Sequence, residues 1–391
     1  MNIAYDSIKD SHEYRPVDGE PRVRFMAGAC LAVRNSTDAC RACESTCPAT
    51  AITRYGNGIS VRDTCIGCGQ CASACPTGAI AVKGFQDISP LPGGNTVRVE
   101  CLKVPVSLSG HGALRVPCLG GISPSQWLEI VEAAALRRVV VVDRGWCKNC
   151  SASKCNSMEH PASDALNLAD IVLGDAGWPE VRRPRFEKDP LPASLMPADI
   201  PAERPESLAR RALFRRIGDE TRRAIGEPKL PLSPRLLKQH GMPIPERDRL
   251  LSISARIARD AGVPMPAAPF LAMSIASSCG HHAVCAGLCP TGALATYEDD
   301  GVAGLEFNPW RCIGCSQCQK ACPEKSISFF AAPASPDPER PNRLTRHVAG
   351  RCRKCLKPFH SAHGEQFCTS CQQNHRMASG LFGTLFAVKK S

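Results

Sequence analysis

Cys65, Cys68, Cys71 and Cys75, followed by Pro76, stand at the spacing C-x2-C-x2-C-x3-C-P within DTCIGCGQCASACPTG. Thiolates three residues apart can wrap three corners of one cubane iron-sulfur cluster, while the fourth, turned away by proline, reaches a neighbouring cluster. A zinc site needs only two pairs of thiolates and gives no reason for four in succession ending in proline. The partner half lies upstream, where Cys40, Cys43 and Cys47-Pro48 fill the second, third and fourth slots and Thr37 stands in the first. Cys30 replaces it if the longer loop folds back, because the cost of loop closure grows slowly with length. Crossed ligation predicts one 4Fe-4S cluster on Cys30, Cys40, Cys43 and Cys75 and a second on Cys65, Cys68, Cys71 and Cys47.

The same layout returns nearly 250 residues later. Cys312, Cys315, Cys318 and Cys322-Pro323 are complete, whereas the half before them has Cys279, Cys285 and Cys289-Pro290, with His282 in the missing second slot. Crossing predicts an ordinary cluster on Cys312, Cys315, Cys318 and Cys289 and another on Cys279, Cys285, Cys322 and His282. A neutral imidazole in place of a thiolate makes a cluster less negative and raises its potential. The alternative is a three-cysteine cluster with a foreign fourth ligand; neighbouring His281 is out of register.

Two further cysteine groups differ in kind. The runs VRVEC, ALRVPC and RRVVVVD read as strands, with SPSQWLEIVEAAAL as an amphipathic helix between the last two. If the strands are parallel, Cys101, Cys118, Cys147, Cys150 and Cys155 all emerge at one sheet edge, where α/β folds place their sites. Four of the five can hold a 2Fe-2S cluster. Cys101, Cys118, Cys150 and Cys155 are the favoured set, and the choice of two among Cys147, Cys150 and Cys155 stays open. A redox-active CxxC pair or a small zinc site is the alternative. Near the C-terminus, Cys352-x2-Cys355 and Cys368-x2-Cys371 suit one tetrahedral zinc, with His360 and His363 between them as alternates; four thiolates close the shell, which means structure and not catalysis.

These groups need elements to hold them, and the expected architecture is α+β. It comprises an N-terminal tail (1–24), a ferredoxin-like module with two 4Fe-4S clusters (25–95), an α/β module with the 2Fe-2S site (96–176) and a Pro/Arg-rich linker (177–266). A second ferredoxin-like module (267–335) and a zinc ribbon with its tail (336–391) follow. Within the linker, PESLARRALFRRIGDETRRAI and DRLLSISARIARDAG show helical spacing of apolar residues opposite Arg-rich faces. The tail GLFGTLFAVKK is expected to dock as a strand or helix.

Composition narrows the function. Twenty-four cysteines in 391 residues, without a basic-then-apolar leader in MNIAYDSIKDSHEYRP, predict reduced, metal-bound thiols in a cytoplasm. No apolar run approaches the eighteen or more residues of a membrane span, and Val139 to Val142 is of buried-strand length, so no direct membrane span is expected. The formal charge of +11 treats every thiol as neutral. Four cubanes, one two-iron centre and one zinc would add about minus twelve, so the basic excess balances clusters and does not imply nucleic acid. No P-loop, no GxGxxG after a strand and no nucleophile-base pair is present, so no catalytic residue is expected.

Three resemblances sharpen this reading. ACLAVRNSTDACRACESTCPATAI with CIGCGQCASACPTGAI (residues 28–80) resembles the ferredoxin-type accessory proteins of periplasmic nitrate reductase operons. They share the displaced first cysteine in a CLA context, which implies that Cys30 is a ligand. VPCLGGISPSQWLEI with VVVVDRGWCKNCSASKCN (residues 97–157) resembles the delta subunit of methyl-viologen-reducing hydrogenase. That family carries a 2Fe-2S cluster and relays electrons to a heterodisulfide reductase; the spacing here departs after the third strand. The whole assembly resembles iron-sulfur subunits accompanying molybdenum or tungsten oxidoreductases, including formate dehydrogenases. The expectation is a single-electron relay between redox partners, as a subunit or accessory of a larger oxidoreductase. The alternatives are a cluster-carrying assembly factor and a thiol-disulfide active subunit.

Overall fold

Val139 to Val142 are buried in succession, a pattern that suits a central strand of a parallel sheet covered on both faces. The computed structural model that contains this strand describes residues 13–17, 20–35, 40–55, 58–85, 91–110, 112–153, 159–197, 242–267, 269–332, 340–361, 364–368, 370–372 and 374. The chain divides into two units, residues 1–269 with 334–336 and residues 270–333 with 337–391.

The first unit begins with β1 (Arg15–Val17), β2 (Glu20–Phe25), α1 (Leu31–Asn35), α2 (Ala42–Thr46), β3 (Ile52–Tyr55), β4 (Gly58–Val61), α3 (Gln70–Ser73) and β5 (Ile80–Val82). β2 lies between β1 and β5, and β3 and β4 form a hairpin, all antiparallel. Residues 15–17 and 20–24, assigned to a tail by the sequence, are therefore strand. Val17 and Val23 are the buried positions there, too few for a visible alternation.

The unit continues with β6 (Thr96–Cys101), β7 (Leu114–Val116), α4 (Pro124–Ala134), β8 (Arg138–Asp143), α5 (Ser163–Asp175), β9 (Arg185–Lys188) and α6 (Pro245–Ala261). The sheet order is β7-β6-β8-β9, and every pair is parallel. Helix α4 starts where SPSQ dictates: Ser123 and Gln126 form a reciprocal capping box and Pro124 opens the first turn. Its buried face, including Trp127, Ile130 and Val131, joins Val97, Val99, Val139 and Val141 in one core. Helix α6 packs against α4, and Glu246 accepts hydrogen bonds from Ser125 N–H (3.3 Å) and Oγ–H (2.9 Å).

Strand β9 lies in the stretch read as linker. Its sequence, RFEK, has no apolar alternation, and ions secure it. Arg98 pairs with Glu187 (3.0 Å) and with Asp189 (3.2 Å), which also takes Arg144 (2.8 Å). The other expected linker helix, PESLARRALFRRIGDETRRAI, lies outside the described residues, as does the GLFGTLFAVKK tail.

The second unit contains β10 (Leu271–Ile275), α7 (Val284–Leu288), β11 (Leu294–Asp299), β12 (Val302–Phe307), α8 (Gln317–Ala321), β13 (Ile327–Ala331), β14 (Asn342–Arg343), β15 (His347–Arg351) and β16 (Pro358–Ser361). β10 pairs with β13, and β11-β12-β15-β16 form one antiparallel sheet with β14 also on β12. The Val302–Val348 pairing thus joins the hairpin between the cysteine motifs to the C-terminal strands.

Candidate metal centres

The described cysteines are all free thiols, and the fold gathers them into groups. In the first unit, Cys30 follows a 3-10 turn, Cys43 sits in α2 and Cys75 follows α3. Burial pushes the Cys43 thiol up to about 12, helped by the charges of Cys75, Cys30 and Cys40, so these four stand together. A second group lies beside them. Cys47, Cys65, Cys68 and Cys71 line one cavity whose remaining wall includes Val23, Ile52, Val61 and Val82. Burial raises the Cys71 thiol well above the ordinary value, and the charges of Cys68, Cys65, Cys47 and Cys43 add to it, which links the two groups.

The second unit repeats the arrangement. Cys289, Cys312, Cys315 and Cys318 line a cavity with Met273, Phe307 and Phe329, and burial with the other three thiols takes Cys318 up to about 12. Cys279, Cys285 and Cys322 form the other group: burial raises Cys285 first, then the charges of Cys279 and Cys322. His282 stands by this group with its Nε2 2.6 Å from Glu324 Oε1, while Glu324 Oε2 is 3.8 Å from Cys322 Sγ. A Cβ on Gly280 would lie 2.9 Å from that Nε2, so a side chain there would displace the ring. His281 stacks on His347 with centroids 4.5 Å apart.

The four Cys-Pro sulfurs share a device absent from the sequence motif as usually read. Each accepts a backbone N–H from four or five residues on: Ala51 to Cys47 (3.3 Å), Ala79 to Cys75 (3.2 Å), Leu294 to Cys289 (3.4 Å) and Ser326 to Cys322 (3.3 Å). Such donation favours the charged thiolate. Two residues after the cysteine, Thr77 and Thr291 place hydroxyls 3.5 Å and 3.7 Å from Cys75 and Cys289. Glu324 holds the same position after Cys322 and was not singled out from sequence, although its register with the threonines was there to read.

At the parallel sheet, Cys101 ends β6, Cys118 follows β7, and Cys147 and Cys150 flank a turn after β8. Parallel strands thus carry these four to one edge. Burial raises Cys118 well above the ordinary value, followed by the charge of Cys68, with Cys101 and Cys147 adding to it. Cys155 lies outside the described residues. Two neighbours were missed from sequence. Lys103, 3% exposed, places Nζ 3.6 Å from Cys150 Sγ. His160 Nδ1 accepts the N–H of Ala162 (3.2 Å), so Nε2 carries the proton and donates to Cys147 Sγ (3.3 Å).

The last group is more compact. The Sγ atoms of Cys352, Cys355, Cys368 and Cys371 all lie within 4.8 Å of one another, with Cys355 and Cys368 at 3.7 Å. A metal about 2.3 Å from four tetrahedral sulfurs separates them by about 3.8 Å, so this group fits a single ion and not a cluster. His363 lies outside the described residues.

Four-thiol cavities with apolar walls, one in each unit, define an iron-sulfur protein of the ferredoxin type. Residues 36–86 match the family model of the LdpA Fe-S cluster-binding domain, and residues 273–323 match that of a 4Fe-4S dicluster domain. The chain is also 33% identical over 82 residues to Protein NrfC of Escherichia coli (strain K12), and equally to Protein NrfC of Escherichia coli O157:H7 and of Shigella flexneri. Each match takes in 20% of this chain and 36% of the relative, so the chain spans about a third of the length of these curated relatives. No described helix is long and apolar enough to cross a membrane.

Proposed function

We propose that the protein relays single electrons through four 4Fe-4S clusters and one 2Fe-2S cluster, with one structural zinc. The observation that carries this reading is the recurrence of the four-thiol cavity, at Cys47, Cys65, Cys68 and Cys71 and again at Cys289, Cys312, Cys315 and Cys318. Cys30, Cys40, Cys43 and Cys75 hold the companion cluster in the first half, and Cys279, Cys285 and Cys322 hold the companion in the second, with His282 at its fourth corner. Cys101, Cys118, Cys147 and Cys150, which stand together among the described residues, bind the two-iron centre in place of the sequence-favoured set with Cys155, and Cys352, Cys355, Cys368 and Cys371 bind zinc. The modules are those expected at 25–95, 96–176, 267–335 and 336–391, with the first extended back to β1 and the second forward to β9. The redox partner is a larger oxidoreductase of the molybdenum, tungsten or formate dehydrogenase type, to which the chain belongs as subunit or accessory.

The chain's own part is to hold thiolates. Bound iron-sulfur clusters supply one-electron chemistry; the protein supplies backbone N–H donors to the sulfurs and apolar walls that exclude water. Anaerobic metal analysis should find about eighteen irons and one zinc per chain, from four cubanes and one two-iron centre. A value near eight would refute it.

The odd corner gives a second test. His282→Cys should keep its cluster and lower the midpoint, because an added negative ligand favours the oxidised core, whereas His282→Ala should shed iron. Redox titration of both variants with all midpoints unmoved would show that His282 is no ligand.

A further inference from the structure

We propose that the cysteine set at the edge of the parallel sheet is the electron sink of the first unit. It is filled from the neighbouring Cys47, Cys65, Cys68, Cys71 centre through the Cys68–Cys118 contact, and Lys103 and His160 set its affinity for the electron. This rests on the reading that both sets hold iron. Cys68 and Cys118 are both buried and share one apolar cluster with Ala152, against which Cys150 packs. The contact is held closed from both sides. A Cβ on Gly121 would lie 2.4 Å from the carbonyl oxygen of Cys68, so only glycine allows the approach. Gln70 donates to the Ala152 carbonyl, and Ser73 Oγ donates to that of Ile122 at 3.1 Å.

Direction follows from charge. Accepting an electron makes a centre one unit more negative, so a cation or donor at its sulfurs raises its potential. Cys150 has the Lys103 ammonium at 3.6 Å and the Ala152 N–H at 3.4 Å, and Cys147 has the His160 Nε2–H at 3.3 Å. Glu100 is paired with Arg144, while Asp143, which accepts the Gly145 N–H at 2.8 Å, keeps its charge near Cys147 and opposes Lys103 there in part. On the other side, the donor to Cys47 is the backbone amide of Ala51 at 3.3 Å, and Arg22 directs its guanidinium to the Cys65 carbonyl oxygen at 2.8 Å. In the step itself the donor centre loses one electron, the sheet-edge centre gains it, and no proton or atom moves. Lys148 and Asn149, in the turn between Cys147 and Cys150, are exposed, which gives the electron a way out to a partner.

The test is a dithionite titration of the full-length protein with redox mediators, read by electron paramagnetic resonance. The two-iron signal should appear before that of the neighbouring cubane, and should broaden when the cubane is also reduced, as two contacting centres require. Lys103→Met should lower the reduced-to-oxidised ratio of the two-iron centre at least tenfold at fixed potential, 59 mV for one electron, with iron content unchanged and Lys103→Arg restoring it. His160→Gln carries the same direction if Lys103→Met fails to load. A two-iron centre that reduces after the cubane, or a midpoint unmoved by both variants, overturns the inference and leaves the relay standing. Cys118→Ser with undiminished iron overturns the sheet-edge centre and the inference together.

Discussion

Cys352→Ser is expected to cost the protein the zinc proposed for this site and the order of the strands at 347–361, while iron bound elsewhere stays in place. Across residues 340–361, the buried side chains among those described are His347, Cys352 and Ser361, which is no hydrophobic core. A segment with so little apolar burial depends on its metal. Cys352 is also the hub of the local backbone bonds, donating to Lys357 O (3.0 Å) and accepting from Leu356 N–H (2.9 Å). Burial opposes ionisation of its thiol, yet donation from the backbone N–H groups of Cys355, Cys368 and Lys354 outweighs it and lowers the thiol from 9.0 to about 6. A group lowered on folding stabilises fully above its ordinary value and loses that contribution as the pH falls through the lowered one, and because a bound ion also competes with the proton, acid should release the metal only below about 6. Zinc analysis with hydrogen exchange reads both effects. Protection across 347–361 that survives the substitution would show that the strands hold without the ion.

The contrast between what sequence revealed and what it hid has a physical basis. The Cys65 to Cys75 spacing is legible because all four sulfurs serve one loop, and the parallel sheet is legible because Val139 to Val142 need cover on both faces. Lys103 and His160 were invisible for the opposite reason. Their roles depend on meeting Cys150 and Cys147 across 47 and 13 residues, and a lone lysine or histidine carries no pattern. Strand β9 hid because Arg98 and Arg144 secure it through Glu187 and Asp189, and ions leave no periodicity. Glu324 was legible in principle, being the same two residues beyond its cysteine as Thr77 and Thr291.

Arg144→Met should be among the most destabilising substitutions in the first unit. Arg144 Nε donates to Glu100 Oε1 at 2.5 Å, with the two side chains 8% and 1% exposed, and its Nη2 donates to the Leu108 carbonyl at 3.1 Å. Removing the guanidinium leaves the Glu100 carboxylate buried with only the Ser109 hydroxyl as a donor among the hydrogen bonds described for it. Breaking a buried pair from one side costs about 3–5 kcal/mol, a large share of a typical domain's roughly 5–15 kcal/mol. Glu100→Gln should cost less, because the amide keeps a bond to Ser109 and Arg144 keeps Asp189 as its counter-ion. The damage should also reach the metal: Glu100 immediately precedes Cys101, and Arg144 opens the loop that leads to Cys147, so both ends of the sheet-edge group lose their anchor. Urea unfolding followed by circular dichroism, with iron analysis of the folded fraction, should show a lower midpoint and iron lost first from the sheet edge. A midpoint equal to that of the unaltered protein would mean that water or Arg98 takes over the buried carboxylate, and that the pair fixes geometry without adding stability.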